Sequence, residues 1–176
     1  MVKAAAVVTG DGSELQSLID GLFFGEIPDF TVSAVVATER GSRALARSES
    51  AGIPGYEVDA AIFPNAATFT RALTAKLLDL DADIAILVGV EPEPEEGLYR
   101  AFAGRCVCLR IARGADTVSA AAVLADADGS EARRFGRVSV SAVPDESAAA
   151  LHRRLTENGA GQLLSDALKQ FMRDFH

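Results

Sequence analysis

Long apolar runs, basic charge and metal-binding side chains are all scarce in this chain, and each scarcity excludes something. No stretch approaches the roughly 18 apolar residues of a membrane span, so no membrane association is expected. The N-terminus has one Lys and only about five apolar residues before its glycines. That is too short for a signal peptide, and a cytoplasmic protein is expected. Lys and Arg total 17 against 25 Asp and Glu, a formal net charge of −8 with no offsetting basic stripe. A nucleic-acid partner is therefore not expected. The two cysteines, Cys106 and Cys108, lie two residues apart and project from the same side of a strand. A strain-free disulfide does not suit that arrangement, and buried thiols are expected. The two histidines, His152 and His176, are far from either Cys in sequence, so no zinc spacing exists and no metal is expected.

What is present is apolar character, 49% of 176 residues, enough for one substantial core and little for a second. One domain is expected over residues 1–176. Lys3 to Val8 is a short, nearly continuous apolar run, as in a strand covered on both faces. Leu15, Leu18, Ile19, Leu22 and Phe23 then recur at helical spacing. Val32 to Ala37 reads as a strand. Ser42 to Ser50 reads as a helix stopped at Ala51-Gly52-Ile53-Pro54. Tyr56 to Val58 is a brief strand, and Asn65 caps a helix with Phe69, Leu73, Leu77 and Leu80 on its apolar face. Ile84 to Val90 is the most hydrophobic strand and the expected centre of the sheet. A helix around Gly97 to Ala103 leads to a strand over Arg105 to Ile111, and a further helix is expected over Thr117 to Ala125. Val138 to Val143 alternates like an edge strand, and Leu164, Leu168, Phe171 and Phe175 mark a C-terminal helix. The alternation predicts a doubly wound, mostly parallel α/β sheet with helices on both faces.

Ligands in such sheets bind beyond the carboxyl ends of the strands, where strand order reverses. Two loops there carry candidate chemistry. Gly10-Asp11-Gly12-Ser13 follows the first strand and opens a helix, so its N–H groups could receive an anion. G-x-G without a third glycine, and without G-K-[ST], is no nucleotide fingerprint. Ser13-Glu14-Leu15-Gln16 also has capping-box form, so a well-capped corner is the competing reading. The second loop, Glu91-Pro92-Glu93-Pro94-Glu95-Glu96, is stiffened by two prolines and carries four carboxylates. It reads either as a rigid, solvated turn or as one wall of an acidic cleft. Arg40, Arg43 and Arg47 form a helical stripe, either a solvated face or a source of compensating charge.

Thr9 to Gln16 (TGDGSELQ), A-G-I-P at 51–54, F-P-N at 63–65, ADIAILVGV at 82–90 and A-G-R at 103–105 together resemble the glycinamide ribonucleotide formyltransferase family of purine synthesis. The resemblance resumes at VSVSAVPDESAAALHRRL, residues 138–155. It implies a Rossmann-type fold and a formyl group moved from 10-formyltetrahydrofolate to the amine of a phosphoribosyl substrate. It places ligand contacts at Gly10, Asp11, Gly12, Ser13, Glu14, Leu15, Val90 and Glu91.

The catalytic residues do not carry over. Cys108 falls where the family has its Asn, and Arg110 where it has its His. Formyl transfer needs a polarising amide and a proton-handling imidazole, whereas an Arg stays charged and supplies no base. The chain is shorter than the family between about 112 and 138, and no acid there matches the catalytic Asp; Asp126, Asp128 and Asp145 lie nearby without a motif. Ala66 stands where the family usually has an Arg. Acids replace the family's asparagines at Asp11 and Glu14, and with Glu91, Glu93, Glu95 and Glu96 they are expected to share one rim. One like charge at 6 to 8 Å from a phosphate costs about 2 kcal/mol at an effective dielectric near 20, so a small anionic ligand is not favoured.

The expectation is a formyltransferase-fold protein without formyl transfer or cofactor, acting as a binding or interaction subunit, as a homodimer or with a protein partner. The alternatives are a divergent formyltransferase that uses 10-formyltetrahydrofolate, and a repurposed small-molecule enzyme with an acidic cleft.

Overall fold

The computed structural model describes residues 1–175; His176 lies outside the described residues. Seven strands form one sheet in the order β3-β2-β1-β4-β5-β6-β7. The strands β1 (Val2–Val8), β2 (Phe30–Ala37), β3 (Gly55–Glu57), β4 (Ile84–Val88) and β5 (Cys106–Arg113) pair in parallel. The last two, β6 (Thr117–Ala125) and β7 (Glu131–Ser141), continue antiparallel. β4 is central, as its unbroken burial requires.

The helices are α1 (Ser13–Phe23), α2 (Arg43–Ser50), α3 (Ala66–Asp79), α4 (Glu96–Ala101), α5 (Ala148–Glu157) and α6 (Ala160–Asp174). Alternation along β1 divides the core between the faces. Ala4, Ala6 and Val8 pack with Leu15 and Leu18 of α1, Leu151 of α5, and Leu164 and Leu168 of α6. Ala5 and Val7 pack on the other face with Phe69, Leu73 and Leu77 of α3 and Leu98 of α4. Small residues on β1 let the helices approach closely, and each large side chain buried against them contributes about 1.5–3 kcal/mol. Gly161 of α6 lies so close to α1 that an added Cβ would sit 2.2 Å from Ser17 Oγ.

Two sequence expectations need correction. Thr117 to Ala125 is not a helix but strand β6. Its alanines mask a period of two, in which Val118, Ala120 and Ala122 are buried. An Asp126-to-Ser130 turn, with Gly129 at φ 86°, returns the chain as β7. The stretch from about 112 to 138 thus holds a hairpin, and β7 forms the sheet edge expected of it while starting well before Val138. The C-terminal helix marked by Leu164, Leu168 and Phe171 forms as α6, preceded by a separate helix α5, the two divided at Gly159 with φ 102°. The capping box at Ser13 to Gln16 does not form: Gly12 is the N-cap, in the left-handed region, with no side-chain cap bond. Among the described residues no helix is long and apolar enough to cross a membrane.

Candidate functional site at the strand ends

β1 and β4 are neighbours, while the chain leaves β1 towards β2 and β3 on one side and reaches β5 on the other. Strand order therefore reverses between β1 and β4, the place where such sheets form a crevice. The loops around it are tied together. Thr9 Oγ1 bonds Thr38 Oγ1 at 2.6 Å and accepts from the Glu91 N–H at 3.0 Å. Ser42 Oγ donates to the Gly10 carbonyl at 3.1 Å, and Arg47 Nε to the Asp11 carbonyl at 2.8 Å. Arg47 thus leaves the expected solvated stripe, while Arg40 and Arg43 remain exposed.

The glycine turn keeps its form, with Gly10 at φ 98° and Gly12 at φ 81°. Two of its N–H donors, those of Gly10 and Ser13, are nevertheless taken by carboxylates of the chain itself. Gly10 N–H donates to Glu39 Oε1 at 2.7 Å, and Ser13 donates from both N–H (3.1 Å) and hydroxyl (2.6 Å) to Asp11 Oδ1. Burial opposes ionisation of Asp11, but the two Ser13 bonds and the nearby Arg47 and His152 outweigh it and lower its pKa. An anion arriving here meets two of these N–H groups already held by carboxylates, and the charge of both carboxylates beside them.

The acids do not form one open rim. Glu14 is fully buried, and its Oε1 lies 2.7 Å from His152 Nδ1. Leu15 is buried core beside it. Glu91 pairs with Arg113 at 2.9 Å, Glu93 accepts from the Tyr99 hydroxyl, and Glu96 pairs with Arg100. His152 is the residue that sequence reasoning passed over, treated only as a missing zinc ligand. It sits 4% exposed on the same face of α5 as Leu151 and Leu155, an apolar stripe that already signalled a buried ring.

Between β4, β5 and the β6–β7 turn lies a cleft of about 470 Å³, lined by Gly89, Val90, Glu91, Tyr99, Cys108, Arg110, Ile111 and Gly129 among others. Val90 and Glu91 therefore belong to this cleft, and Gly10 to Leu15 to the turn beside it. Arg110 projects into the cleft with its guanidinium over the Tyr99 ring at 5.5 Å, donates to the Gly129 carbonyl, and lies 3.6 Å from Glu93. Burial disfavours its charge, but Cys108, Tyr99 and Glu93 more than compensate and raise its pKa, so it cannot serve as a base. Burial and the Glu93 neighbour likewise push the Tyr99 hydroxyl up. Cys108 and Cys106 are buried and unbridged, with sulfurs 3.7 Å apart. Their hydrogen bond, then burial, raises the Cys106 pKa. Asp128 bonds Ser130 in the β6–β7 turn, and among the described residues no cluster of three metal-ligating side chains occurs.

An open, mostly parallel α/β sheet with a crevice at its switch point is the class these features define. Within it, the chain has the glycinamide ribonucleotide formyltransferase fold. It matches glycinamide ribonucleotide transformylase 1 from Symbiobacterium toebii with TM-score 0.78, 21% identity, and coverage of 99% of this chain and 89% of that one. The transformylase 1 of Geobacillus kaustophilus gives 0.74 at 19% identity, covering 97% and 98%. The phosphoribosylglycinamide formyltransferase of Bacillus halodurans gives 0.76 at 15%, covering 99% and 97%. No family model matches the sequence, and no curated protein matches it.

Proposed function

We propose that this protein is a formyltransferase-fold member of purine-enzyme ancestry that no longer transfers formyl groups and works as a binding or interaction protein. The observation that carries this reading is Arg110. It occupies the position where the resemblance expects the catalytic imidazole, and it is committed to Gly129, Glu93 and the Tyr99 face. Cys108, at the expected Asn position, is 1% exposed and has no amide to polarise a formyl oxygen. A folate cofactor has no role in this reading, and a phosphate at Gly10 to Leu15 is disfavoured by Asp11 and Glu39. A partner surface is supported by Phe23 and Phe24 at the end of α1, 84% and 75% exposed and packed edge-to-face on each other. The reading takes the 176 residues as one cytoplasmic domain that self-associates or binds another protein. Formyl transfer from 10-formyltetrahydrofolate to the phosphoribosyl amine, assayed on the purified protein, tests it: no turnover is expected, and clear turnover overturns it. Size-exclusion over a range of concentrations, with a pull-down, tests the partner; a strict monomer that captures nothing contradicts that role.

A further inference from the structure

We propose that Glu14 and His152 form a proton-transfer dyad at the switch point, able to take a proton at His152 Nε2 from an O–H or N–H group of a small ligand. This goes beyond the reading above and survives or fails independently of it, because neither residue occupies the position where formyl-transfer chemistry is expected. A carboxylate oxygen only accepts, so the 2.7 Å contact to Glu14 Oε1 fixes Nδ1 as the donor. That leaves Nε2 of the neutral ring with its lone pair, and among the described residues no partner takes it.

Position supports the same assignment. The ring lies over the two backbone segments that leave β1 and β4. A Cβ built on Gly10 would lie 3.5 Å from Nε2, and one on Gly89 would lie 2.8 Å from Cε1. Both positions are glycine, so the ring packs directly on their backbone, 4% exposed, and Gly89 separates it from the 470 Å³ cleft that it lines.

Glu14 supplies the reason the ring would accept a proton. Among the described residues its Oε2 is buried without a partner, so the carboxylate is incompletely satisfied, and an imidazolium beside it supplies the missing countercharge. The charged groups facing His152 are Glu14 from α1, Asp11 from the glycine turn and Glu91 after β4, all negative. In the transfer, the ligand's X–H bond breaks and its proton joins Nε2. The electron pair stays on X, and the imidazolium keeps its Nδ1–H on Glu14 until the proton returns to ligand or water.

Diethyl pyrocarbonate, which acylates an accessible neutral imidazole, probes this in the folded protein carrying His176→Asn, so that His152 is the one histidine present. His152 is expected to react without unfolding, at a rate that follows deprotonation with a midpoint above the ordinary value of about 6.5. In Glu14→Gln the midpoint falls, and the rate below about pH 6 rises roughly tenfold. No reaction in the folded protein, or one pH profile shared by both proteins, overturns the dyad. Should Glu14→Gln fail to fold, NMR titration of the His152 ring in the parent protein decides. A midpoint above the ordinary value supports the dyad, and one at or below it overturns it.

Discussion

The turn after β1 and the end of β5 border the same edge of the sheet, and they have departed from the expected site in opposite ways. At the turn the left-handed glycines are in place and the chain's own carboxylates, Glu39 and Asp11, hold the Gly10 and Ser13 N–H groups. At β5 there is space, a cleft of about 470 Å³, and the side chains within it, Arg110 and Cys108 among them, are not those the resemblance leads one to expect. The difference separates what the fold demands from what a ligand demands. A strand that feeds a helix at once needs the left-handed glycines, since Gly12 has Ala44 Cα 3.0 Å from where a Cβ would sit. Nothing in the fold requires an imidazole at Arg110.

The comparison can be broken most forcefully at His152, which stands between the two regions. His152→Ala leaves Glu14 buried without its partner and is expected to cost about 3 kcal/mol in urea unfolding. A cost below about 1 kcal/mol would mean that the carboxylate is satisfied some other way. Gly89→Ala comes next, at about 2 kcal/mol, because the backbone is held at φ 57° and the new Cβ crowds His152 and Ile111.

The pH dependence sharpens the contrast between the two charged partners of the turn. Burial depresses the His152 pKa, but the Glu14 bond and the surrounding acids raise it on balance. Its contribution is therefore complete below the unfolded value of about 6.5 and is lost as pH rises through the higher folded value. Asp11 runs the other way, contributing above its unfolded value of about 3.9 and losing that contribution as pH falls through the lower folded value. Unfolding midpoints measured across pH are expected to decline on both sides, with Glu14→Gln flattening the alkaline side only. Smaller still, Glu39→Ala removes the Gly10 acceptor at about 1 kcal/mol. Arg113→Ala breaks an exposed pair with Glu91 and is expected to stay within about 0.5 kcal/mol in the same unfolding measurement.

The parallel half of the fold was legible because its strands are continuous apolar runs and its helices carry clean caps, Ser42 and Asn65 among them. The antiparallel half was not. Alanine serves helix and strand alike, so Thr117 to Ala125 has no period strong enough to outweigh its composition, and the Asp128-Gly129 dipeptide after it is the one local signal of a hairpin, which the helix expectation left unused. At the site, the glycine turn and the Cys108 and Arg110 positions could be placed from local sequence. Glu14–His152 could not, because 138 residues separate the partners and only the packing of α5 against α1 brings them together. Nor could the sequence distinguish acids facing solvent from acids paired with Arg113, Arg100 or Tyr99.

The turn after β1 has the shape of an anion cradle, while the chain's own carboxylates hold its Gly10 and Ser13 donors and put negative charge beside the rest. Thermal unfolding of the unmodified protein with and without about 10 mM inorganic phosphate measures this directly, since a ligand bound to the folded state alone must raise the midpoint. No change in midpoint is predicted. A clear stabilisation that Gly12→Val abolishes would contradict the account.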